Sequence, residues 1–315
     1  MSGSVPVVID TDPGIDDALA LLLAARWPRC DLRVVTTTYG NNTLDVTTRN
    51  ARYVLARAGC RATLLQGADR PLRRELLTAK DTHGDSGLGD HPLPPAPPVA
   101  PSPTALRDAL QAAREPVTLV TIGPLTNLAL ALRADAAFVK SRVARHVAMG
   151  GNIEAPGNTG PHSEFNVWCD PEAADLVLRA GLGTELVGLD VTRQLVMSGP
   201  TVQKLANHAD EEARWFGRLL GFYVRFHQDA EGLHGAVIND PLAVALALEP
   251  SWGEAPAIPV RVNLGEGPLR GRTEVGSEAN DPPVRVFRRF DKRHVHDLLL
   301  EHLFGRWLTR QDFAA

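Results

Sequence analysis

Runs of β-branched residues alternate with longer amphipathic runs over roughly the first two hundred residues. The β-branched runs, which predict strands, are Val5–Asp10, Leu32–Thr38, Val117–Gly123, Arg145–Gly151 and Thr184–Thr192. The amphipathic runs, which predict helices, are Asp16–Arg26, Leu44–Ala58, Thr104–Arg114, Leu125–Leu132 and Pro171–Ala180. This order predicts an α/β fold with a mainly parallel, Rossmann-like open sheet and helices on both faces.

The pattern changes after Pro200. Two helical stretches, Thr201–Gln228 and Asp240–Leu248, are followed by apparent strands at Ala257–Asn263 and Val284–Phe290 and by a closing helix from Asp291 to about Trp307. No shift in composition marks a domain boundary. We therefore expect residues 1–315 to form a single domain with additional C-terminal helices and strands.

Two segments between these runs are predicted to be loops. The prolines of PLPPAPPVAPSP, Pro92–Pro103, exclude a helix or a central strand, so a surface connection is expected there. Just before it, HGDSGLGD, His83–Asp90, is polar and rich in glycine. It suits a mobile loop that closes over a site, and equally an ordinary exposed loop.

Composition narrows the class of ligand. Of the 315 residues, 44% are hydrophobic and 22% are charged, which is typical of a globular protein with a large core. The net charge is −4 and no long run of one sign occurs, so the charge pattern of a nucleic-acid or membrane-surface binder is missing. A small-molecule ligand fits this composition better.

Cysteines and apolar runs bear on the compartment. Cys30, Cys60 and Cys169 are far apart and form no C-x-x-C pair, so we expect buried, reduced thiols rather than disulfides or a cysteine zinc site. The longest strongly apolar run, Ala18–Ala25, is too short to span a bilayer. The cytoplasm is the default expectation.

Four aspartates crowd the junction between the first predicted strand and helix. Asp10 and Asp12 come where the strand ends, the place at which open α/β sheets bind ligands. Asp16 and Asp17 fall in the first helical turn, where the helix dipole favours negative charge. The dipole does not explain Asp10 and Asp12, whereas a hard cation with oxygen ligands would offset the repulsion of all four. Calcium and magnesium both fit this reasoning.

The sequence around these aspartates separates two classes of enzyme. Asp10-Thr11-Asp12 matches the start of the Asp-x-Asp motif of haloacid-dehalogenase-like phosphatases, but the residues after Asp12 do not continue it. The longer string DTDPGIDDA, Asp10–Ala18, resembles the signature of the inosine–uridine-preferring nucleoside hydrolases. Further blocks resemble that family in its order: TTTYGNNT (Thr36–Thr43), HGDSGLG (His83–Gly89), GPLTNLA (Gly123–Ala129), MGG (Met149–Gly151), SEFNVWCDPEAA (Ser163–Ala174), VGLDVT (Val187–Thr192) and NDPLAVA (Asn239–Ala245).

The resemblance implies hydrolysis of the N-glycosidic bond of a ribonucleoside, through a transition state like an oxocarbenium ion. It implies one Ca²⁺ ion, with Asp12, Asp17, Asp240 and the carbonyl of Ile122 as ligands and Asp12 also as the base for the attacking water. Asp10 would support these ligands. The remaining implied contacts are Asp16 on the ribose 2′-hydroxyl, Asn41, Asn158, Glu164 and Asn166 on the sugar, and Met149 and Asn239 in the pocket.

Some of these roles have ordinary structural alternatives. Asn41 follows Gly40 and Asn158 follows Gly157, so either asparagine could serve a turn. Glu164 and Asn166 flank Phe165 and would share one face of an extended segment.

Members of the family form homodimers or homotetramers, and the same is expected here.

The leaving-group side departs from the family pattern. Broad-specificity, purine-active members carry a histidine directly before the last metal-binding aspartate, and this chain has Asn239 there. A carboxamide is no general acid near neutral pH. His83, His227 and His234 lie in segments that could border the base.

Two other functions stay open: an Asp-nucleophile phosphatase, and a nucleoside- or ribose-binding protein with little turnover.

Overall fold

The computed structural model describes residues 3–276, 281 and 283–313. In chain order its strands are β1 (Val5–Thr11), β2 (Cys30–Thr37), β3 (Thr63–Gln66), β4 (Val117–Thr121), β5 (Val143–Met149), β6 (Glu185–Val187), β7 (Val196–Ser198), β8 (Gly235–Val237), β9 (Gly253–Glu254), β10 (Ala257–Val262), β11 (Thr273–Val275), β12 (Pro283–Val286) and β13 (Arg289–Phe290). Its α-helices are α1 (Ile15–Arg26), α2 (Leu44–Arg57), α3 (Lys80–His83), α4 (Ala105–Ala112), α5 (Thr126–Arg142), α6 (Phe165–Cys169), α7 (Pro171–Arg179), α8 (Leu189–Thr192), α9 (Gly199–Ala206), α10 (Glu211–Glu231), α11 (Asn239–Leu248) and α12 (Lys292–Leu299).

The central sheet has nine strands in the order β11-β10-β12-β6-β5-β4-β1-β2-β3 within the described residues. The seven strands from β12 to β3 are parallel to one another. At the other edge, β10 pairs antiparallel with β12 and with β11. The predicted α/β fold with a mainly parallel open sheet is confirmed, and the C-terminal strands extend the sheet at one edge.

Strand β1 and helix α1 are the centre of the molecule. Val7, Val8 and Ile9 are fully buried because β1 lies between β2 and β4. Every residue of α1 from Ile15 to Ala24 is buried, and the helix packs against α11 and α2. Each buried leucine there contributes about 1.5–3 kcal/mol. This packing fixes the first turns of α1 and α11 at the carboxyl edge of the sheet.

Several predicted elements are shorter than the sequence pattern indicates. The run Thr184–Thr192 is not one strand, since β6 ends at Val187 and the helical turn α8 follows. A Cβ on Gly188 would lie 2.4 Å from the carbonyl oxygen of Gly151, so the chain turns at a close backbone approach. The stretch Thr201–Gln228 is two helices, α9 and α10, and the Asp210 carboxylate caps the second through Glu212 N and Ala213 N.

The last predicted strand and helix also divide. Val284–Phe290 comprises the end of β12 and the separate strand β13, which pairs with β9 outside the central sheet. The closing helix is α-helical only to Leu299 and continues as a π-helix over Leu300–Phe304. Conversely, the predicted helix Leu125–Leu132 continues as α5 to Arg142, with a non-helical residue at Asp135.

Loops and cysteines follow the predictions in part. Residues 92–103 form a connection with little regular structure and mostly exposed side chains, as predicted. All three cysteines are free, but Cys30 and Cys60 are half-buried and only Cys169 is buried, so the expectation of three buried thiols is wrong for two of them. Among the described residues, no helix combines the length and the apolar character needed to cross a bilayer.

Candidate active site

A partly open cavity lies beyond the carboxyl ends of β4 and β5 and beside the first turns of α1 and α11. Its described lining contains no arginine or lysine. Of the site residues predicted from the sequence, those that line it are Asp16, Asn41, His83, Ile122, Met149, Asn158, Glu164, Asn166, His227, Asn239 and Asp240. The structure therefore brings together residues from distant parts of the chain.

Four buried carboxylates lie close enough to raise one another's pKa values; Asp16 and Asp240 line the cavity, whereas Asp12 and Asp17 lie behind its lining. Asp12 follows β1, Asp16 and Asp17 lie in the first turn of α1, and Asp240 lies in the first turn of α11. Oxygens of Asp16, Asp17 and Asp240 come within 4.8 Å of one another. Burial, and then the charge of Asp17, raise the pKa of Asp16 to about 7, while burial, and then the charge of Asp16, raise the pKa of Asp240 well above its usual range.

Asp12 has one carboxylate oxygen without a partner. Its Oδ2 accepts a hydrogen bond of 2.7 Å from Asn41 N, whereas Oδ1 is buried and accepts none. A Cβ on Gly123 would lie 2.5 Å from Oδ1, and one on Gly40, where φ is +148°, would lie 2.1 Å from Oδ2. Both glycines are thus required for the chain to close around Asp12. Burial, and then the charge of Asp17, raise the pKa of this carboxyl.

Asp17 is held by its neighbours on both oxygens. Thr11 Oγ1 donates to Oδ1 at 2.6 Å, and Gly14 N donates to Oδ2 at 2.9 Å, which caps α1. Asn41 Nδ2 also donates to Oδ2, at 2.7 Å. The sequence predicts Asn41 as a sugar contact; the structure places it on the cavity wall and uses its amide nitrogen to hold Asp17.

Asp10 lies outside the cavity lining and is fully buried. Its Oδ1 accepts hydrogen bonds from Thr36 Oγ1 and from Asn127 Nδ2, the latter at 2.7 Å. Asn127 Nδ2 also donates to the Thr37 carbonyl at 3.1 Å, so Asp10 helps to join the ends of β1 and β2. Burial raises its pKa to about 7. The side chain of Asp10 thus binds Thr36 and Asn127 rather than the carboxylates predicted to hold the cation, and its supporting role stays a prediction.

The opposite wall is built around the start of α6. Glu164 caps this helix, accepting from Asn166 N at 2.9 Å, and its other oxygen accepts from Gly151 N at 2.9 Å. Asn166 Nδ2 donates to the carbonyls of Ile122 at 3.2 Å and Met149 at 3.3 Å. Glu164 and Asn166 thus reach one cavity, but the predicted extended segment is wrong, because Phe165 begins a helix.

Asn158 holds the same wall from the preceding loop. Its Oδ1 accepts a hydrogen bond of 2.9 Å from Phe165 N. Asn158 N bonds to the Ser163 carbonyl at 3.1 Å. The residue therefore takes part in a turn and also lines the cavity, so the two alternatives drawn from the sequence are not exclusive.

Tyr223, on α10, is a cavity residue that the sequence does not reveal. Its hydroxyl donates to Asp16 Oδ2 at 3.2 Å, and Asn239 Nδ2 donates to the same oxygen at 2.9 Å. The nearest signal in the sequence is the spacing of Tyr223 and His227 by one helical turn. Such spacing is equally typical of core packing, so it does not point to a site.

Two of the three candidate histidines line the cavity. His83 Nδ1 accepts a hydrogen bond of 3.1 Å from Ile15 N, which leaves Nε2 to carry the ring proton, and burial lowers its pKa to about 3. The ring of His227 lies 4.2 Å from that of Tyr223, and burial lowers its pKa to about 4. His234 is exposed and is not brought to the cavity.

Comparisons with known proteins identify the family. The model of the inosine-uridine preferring nucleoside hydrolase family matches residues 7–297. A pyrimidine-specific ribonucleoside hydrolase RihA of Photobacterium profundum is 38% identical over 309 residues, covering 95% of this chain and 99% of the relative. The pyrimidine-specific ribonucleoside hydrolase RihA of Shewanella sp. strain ANA-3 is 36% identical over 319 residues, covering 95% of this chain and 96% of that relative.

Solved structures agree in fold. The plant nucleoside hydrolase PpNRh1 superposes with a TM-score of 0.86 at 31% identity, covering 96% of this chain and 99% of the plant enzyme. A purine-preferring ribonucleoside hydrolase from Gardnerella vaginalis superposes with a TM-score of 0.85 at 28% identity, covering 95% and 98%. The chain therefore belongs to the inosine-uridine preferring nucleoside hydrolase family, enzymes that hydrolyse the bond between a base and its ribose.

Proposed function

We propose that this protein hydrolyses the N-glycosidic bond of ribonucleosides with a divalent cation, Ca²⁺, as cofactor and Asp12 as the base. The observation that carries the proposal is the buried, unpartnered Asp12 Oδ1 beside three further buried carboxylates. Uridine and cytidine are the first substrates to test, because relatives of 38% and 36% identity are named pyrimidine-specific.

The donor set fits a hard cation. Asp12, Asp17, Asp240 and the Ile122 carbonyl offer only oxygen, as calcium requires. No arginine or lysine lines the described cavity to offset the carboxylates, whose burial raises their pKa values. When bound, the cation supplies positive charge that keeps these groups ionised and lowers the pKa of a water molecule.

Asp12 is the group best placed to take a proton. Its Oδ2 is fixed by Asn41 N, and its Oδ1 is free of any protein donor. A carboxylate held in one orientation with one unpartnered oxygen suits a general base, because proton transfer requires close and well-aligned contact. We assign removal of the proton of the attacking water to Oδ1.

The ribose is assigned to the polar walls of the cavity. Asp16 faces one side, where Tyr223 and Asn239 fix its Oδ2. Glu164 and Asn166 face it from the other wall, with Asn41 and Asn158 nearby and Met149 as an apolar surface. A polyol needs several directional donors and acceptors, which this arrangement offers.

The base is assigned to the side of His83, Tyr223 and His227. His83 is neutral and bears its proton on Nε2, since Nδ1 accepts from Ile15 N. A neutral imidazole is too weak an acid to give up this proton readily. It therefore stabilises negative charge on the departing base by a hydrogen bond, with transfer of the proton left to solvent.

Incubation of the purified protein with calcium and a panel of ribonucleosides tests the proposal. We expect free ribose from uridine or cytidine and no phosphate from p-nitrophenyl phosphate. Phosphate release with magnesium would support the phosphatase alternative instead. Tight binding of nucleosides without any ribose release would identify a binding protein.

A further inference from the structure

Two loops meet at His83, which lines the cavity on the side assigned to the base. The acidic loop is defined as residues 11–15, from the last residue of β1 to the first of α1, and it carries Asp12. The glycine-rich loop is defined as residues 83–90 and begins with His83, the last residue of α3. One direct hydrogen bond joins them, from Ile15 N to His83 Nδ1 at 3.1 Å. The position of the His83 ring therefore depends on how the glycine-rich loop is held against the acidic loop.

Asn50, on α2, joins the same two loops from behind. Its side chain is fully buried and is absent from the cavity lining. Nδ2 donates to the Pro13 carbonyl at 3.0 Å and to the Ser86 carbonyl at 2.9 Å. One amide group thus binds the acidic loop with one hydrogen and the glycine-rich loop with the other.

The orientation of this amide is fixed on both ends. Asn50 Oδ1 accepts from Arg49 Nε at 3.1 Å and from Arg49 Nη2 at 2.8 Å, so the nitrogen must face the two carbonyls. Arg49 also donates to the carbonyls of Ser86 at 2.5 Å and Pro94 at 2.9 Å. The guanidinium therefore binds the middle of the glycine-rich loop at Ser86 and the start of the proline-rich connection at Pro94.

The glycine-rich loop is shaped to receive Asn50. Gly87 has a φ of +74°, and a Cβ there would lie 2.6 Å from Asn50 Nδ2. On the acidic loop, a Cβ on Gly14 would lie 2.5 Å from His83 Nδ1. Both contacts are thus close approaches that need glycine, one at Asn50 and one at His83.

We propose that Asn50 is a positioning residue for the leaving-group side of the reaction, acting through His83. The proposal rests on the proposed function. Asn50 Nδ2 keeps the glycine-rich loop at the distance at which His83 Nδ1 reaches Ile15 N, and thereby keeps Nε2–H available to the departing base. Asn50 itself lies outside the cavity lining, and its side-chain hydrogen bonds in the described structure go to Pro13, Ser86 and Arg49 rather than to the carboxylates assigned to the cation.

The nearly isosteric change Asn50→Asp tests this directly. It keeps an acceptor for Arg49 but replaces the amide hydrogens by an oxygen that repels the carbonyls of Pro13 and Ser86. We expect kcat/KM for uridine, whose uracil is a poor leaving group, to fall by about tenfold to a hundredfold. Cleavage of p-nitrophenyl riboside, whose leaving group needs no such help, should stay within about threefold.

Two comparisons separate positioning from a structural role. His83→Ala should likewise slow uridine hydrolysis and spare cleavage of p-nitrophenyl riboside. The Asn50→Asp/His83→Ala double variant should cleave uridine within about threefold of the rate of His83→Ala, because both changes remove the same hydrogen bond from His83 to the departing base. Thr48→Val is the matched control: Thr48, also buried on α2, has a hydrogen bond of 2.7 Å between its Oγ1 and Thr37 Oγ1, which lies in neither loop. It should lower stability and leave both activities within about threefold.

Hydrogen exchange supplies a readout that needs no activity. Without ligand, the amides of residues 84–90 should exchange about tenfold faster or more in Asn50→Asp, with β4 unchanged.

Equal losses on uridine and p-nitrophenyl riboside, additive effects with His83→Ala, or unchanged exchange would overturn the proposal. If Asn50→Asp does not fold, Asn50→Ala enters the same comparison. If the unmodified protein releases ribose from neither substrate, the proposed function fails, and exchange in residues 84–90 alone decides whether Asn50 positions the loop.

Discussion

Asn239 Nδ2 donates a hydrogen bond of 2.9 Å to Asp16 Oδ2, joining the first turn of α11 to the first turn of α1. The same nitrogen donates to the Tyr223 hydroxyl at 3.3 Å, so both amide hydrogens are used within the protein. Asn239 Oδ1 is buried and has no partner. The side chain therefore offers the cavity an acceptor and no proton for a departing base.

Leaving-group dependence follows from this geometry. Because Asn239 cannot protonate the base, we expect the unmodified protein to cleave p-nitrophenyl riboside about a hundredfold faster than inosine or more. Asn239→His should raise turnover of inosine by about tenfold or more while changing that of the activated substrate little. Steady-state kinetics of both proteins on both substrates measure this. Efficient inosine cleavage by the unmodified protein, lost in His227→Ala, would show that another residue supplies the acid.

Sugar selectivity tests the place assigned to the ribose. A 2′-deoxynucleoside has no 2′-hydroxyl group that could donate a hydrogen bond to Asp16. The Asp16 carboxyl, whose pKa is raised to about 7 by burial, would then lack one of its partners. We expect kcat/KM for deoxyuridine to be lower than for uridine by about a hundredfold or by a larger factor. Equal values for the two nucleosides would remove Asp16 from the sugar site.

Cation removal should act on stability as well as on turnover. Dialysis against a chelator should abolish ribose release and lower the midpoint of thermal unfolding, because the carboxylates of Asp12, Asp17 and Asp240 then repel one another. Calcium at a hundred times its dissociation constant should restore about 2.7 kcal/mol of stability. Calcium and magnesium titrations followed by calorimetry measure this. An unfolding midpoint that neither ion changes would argue against the cation site.

Acid sensitivity of the fold is predicted from His146. Its ring is fully buried between Thr121 Oγ1 and Thr184 Oγ1, each at 3.0 Å, and burial lowers its pKa to about 3. Above the unfolded pKa of about 6.5 both states are neutral, and below it only the unfolded state binds the proton. This group therefore lowers the free energy of unfolding by about 1.4 kcal/mol per pH unit as pH falls from 6.5 toward 3.

Urea unfolding at pH 7, 6 and 5 checks that slope. In His146→Gln the contribution of this group is lost, so stability should fall less steeply with acidity than in the unmodified protein. His234→Gln, which changes an exposed histidine, is the control and should keep the original slope. Identical slopes in His146→Gln and the unmodified protein would show that His146 does not titrate as assigned.

The parts of the structure that the sequence reveals are those with strong local patterns. The apolar runs before Asp10 and after Asp17 predict a strand and a helix at their observed places, because each continuous apolar run coincides with a continuously buried element there. Strands β7 and β8 have three residues each, too few to show a period. The predicted strand Thr184–Thr192 fails because a backbone approach at Gly188, visible only in three dimensions, turns the chain.

The candidate site divides in the same way. Asp12, Asp16 and Asp17 stand within one short motif, so the sequence itself draws them together. Tyr223 is separated from Asp16 by 207 residues, and Asn50 from Pro13 by 37, so both contacts depend on how helices pack. Only the folded chain shows that Tyr223 bonds to Asp16 and that Asn50 joins the two loops.

Asp12→Ala tests whether Asp12 is the base of a nucleoside hydrolase. Ribose release from uridine, measured with calcium present, should fall by about 10³-fold or more, with circular dichroism and the unfolding midpoint showing an intact fold. Asp229→Ala, which removes an exposed carboxylate, should keep the original rate. A well-folded Asp12→Ala protein that releases ribose at near the original rate would contradict the account.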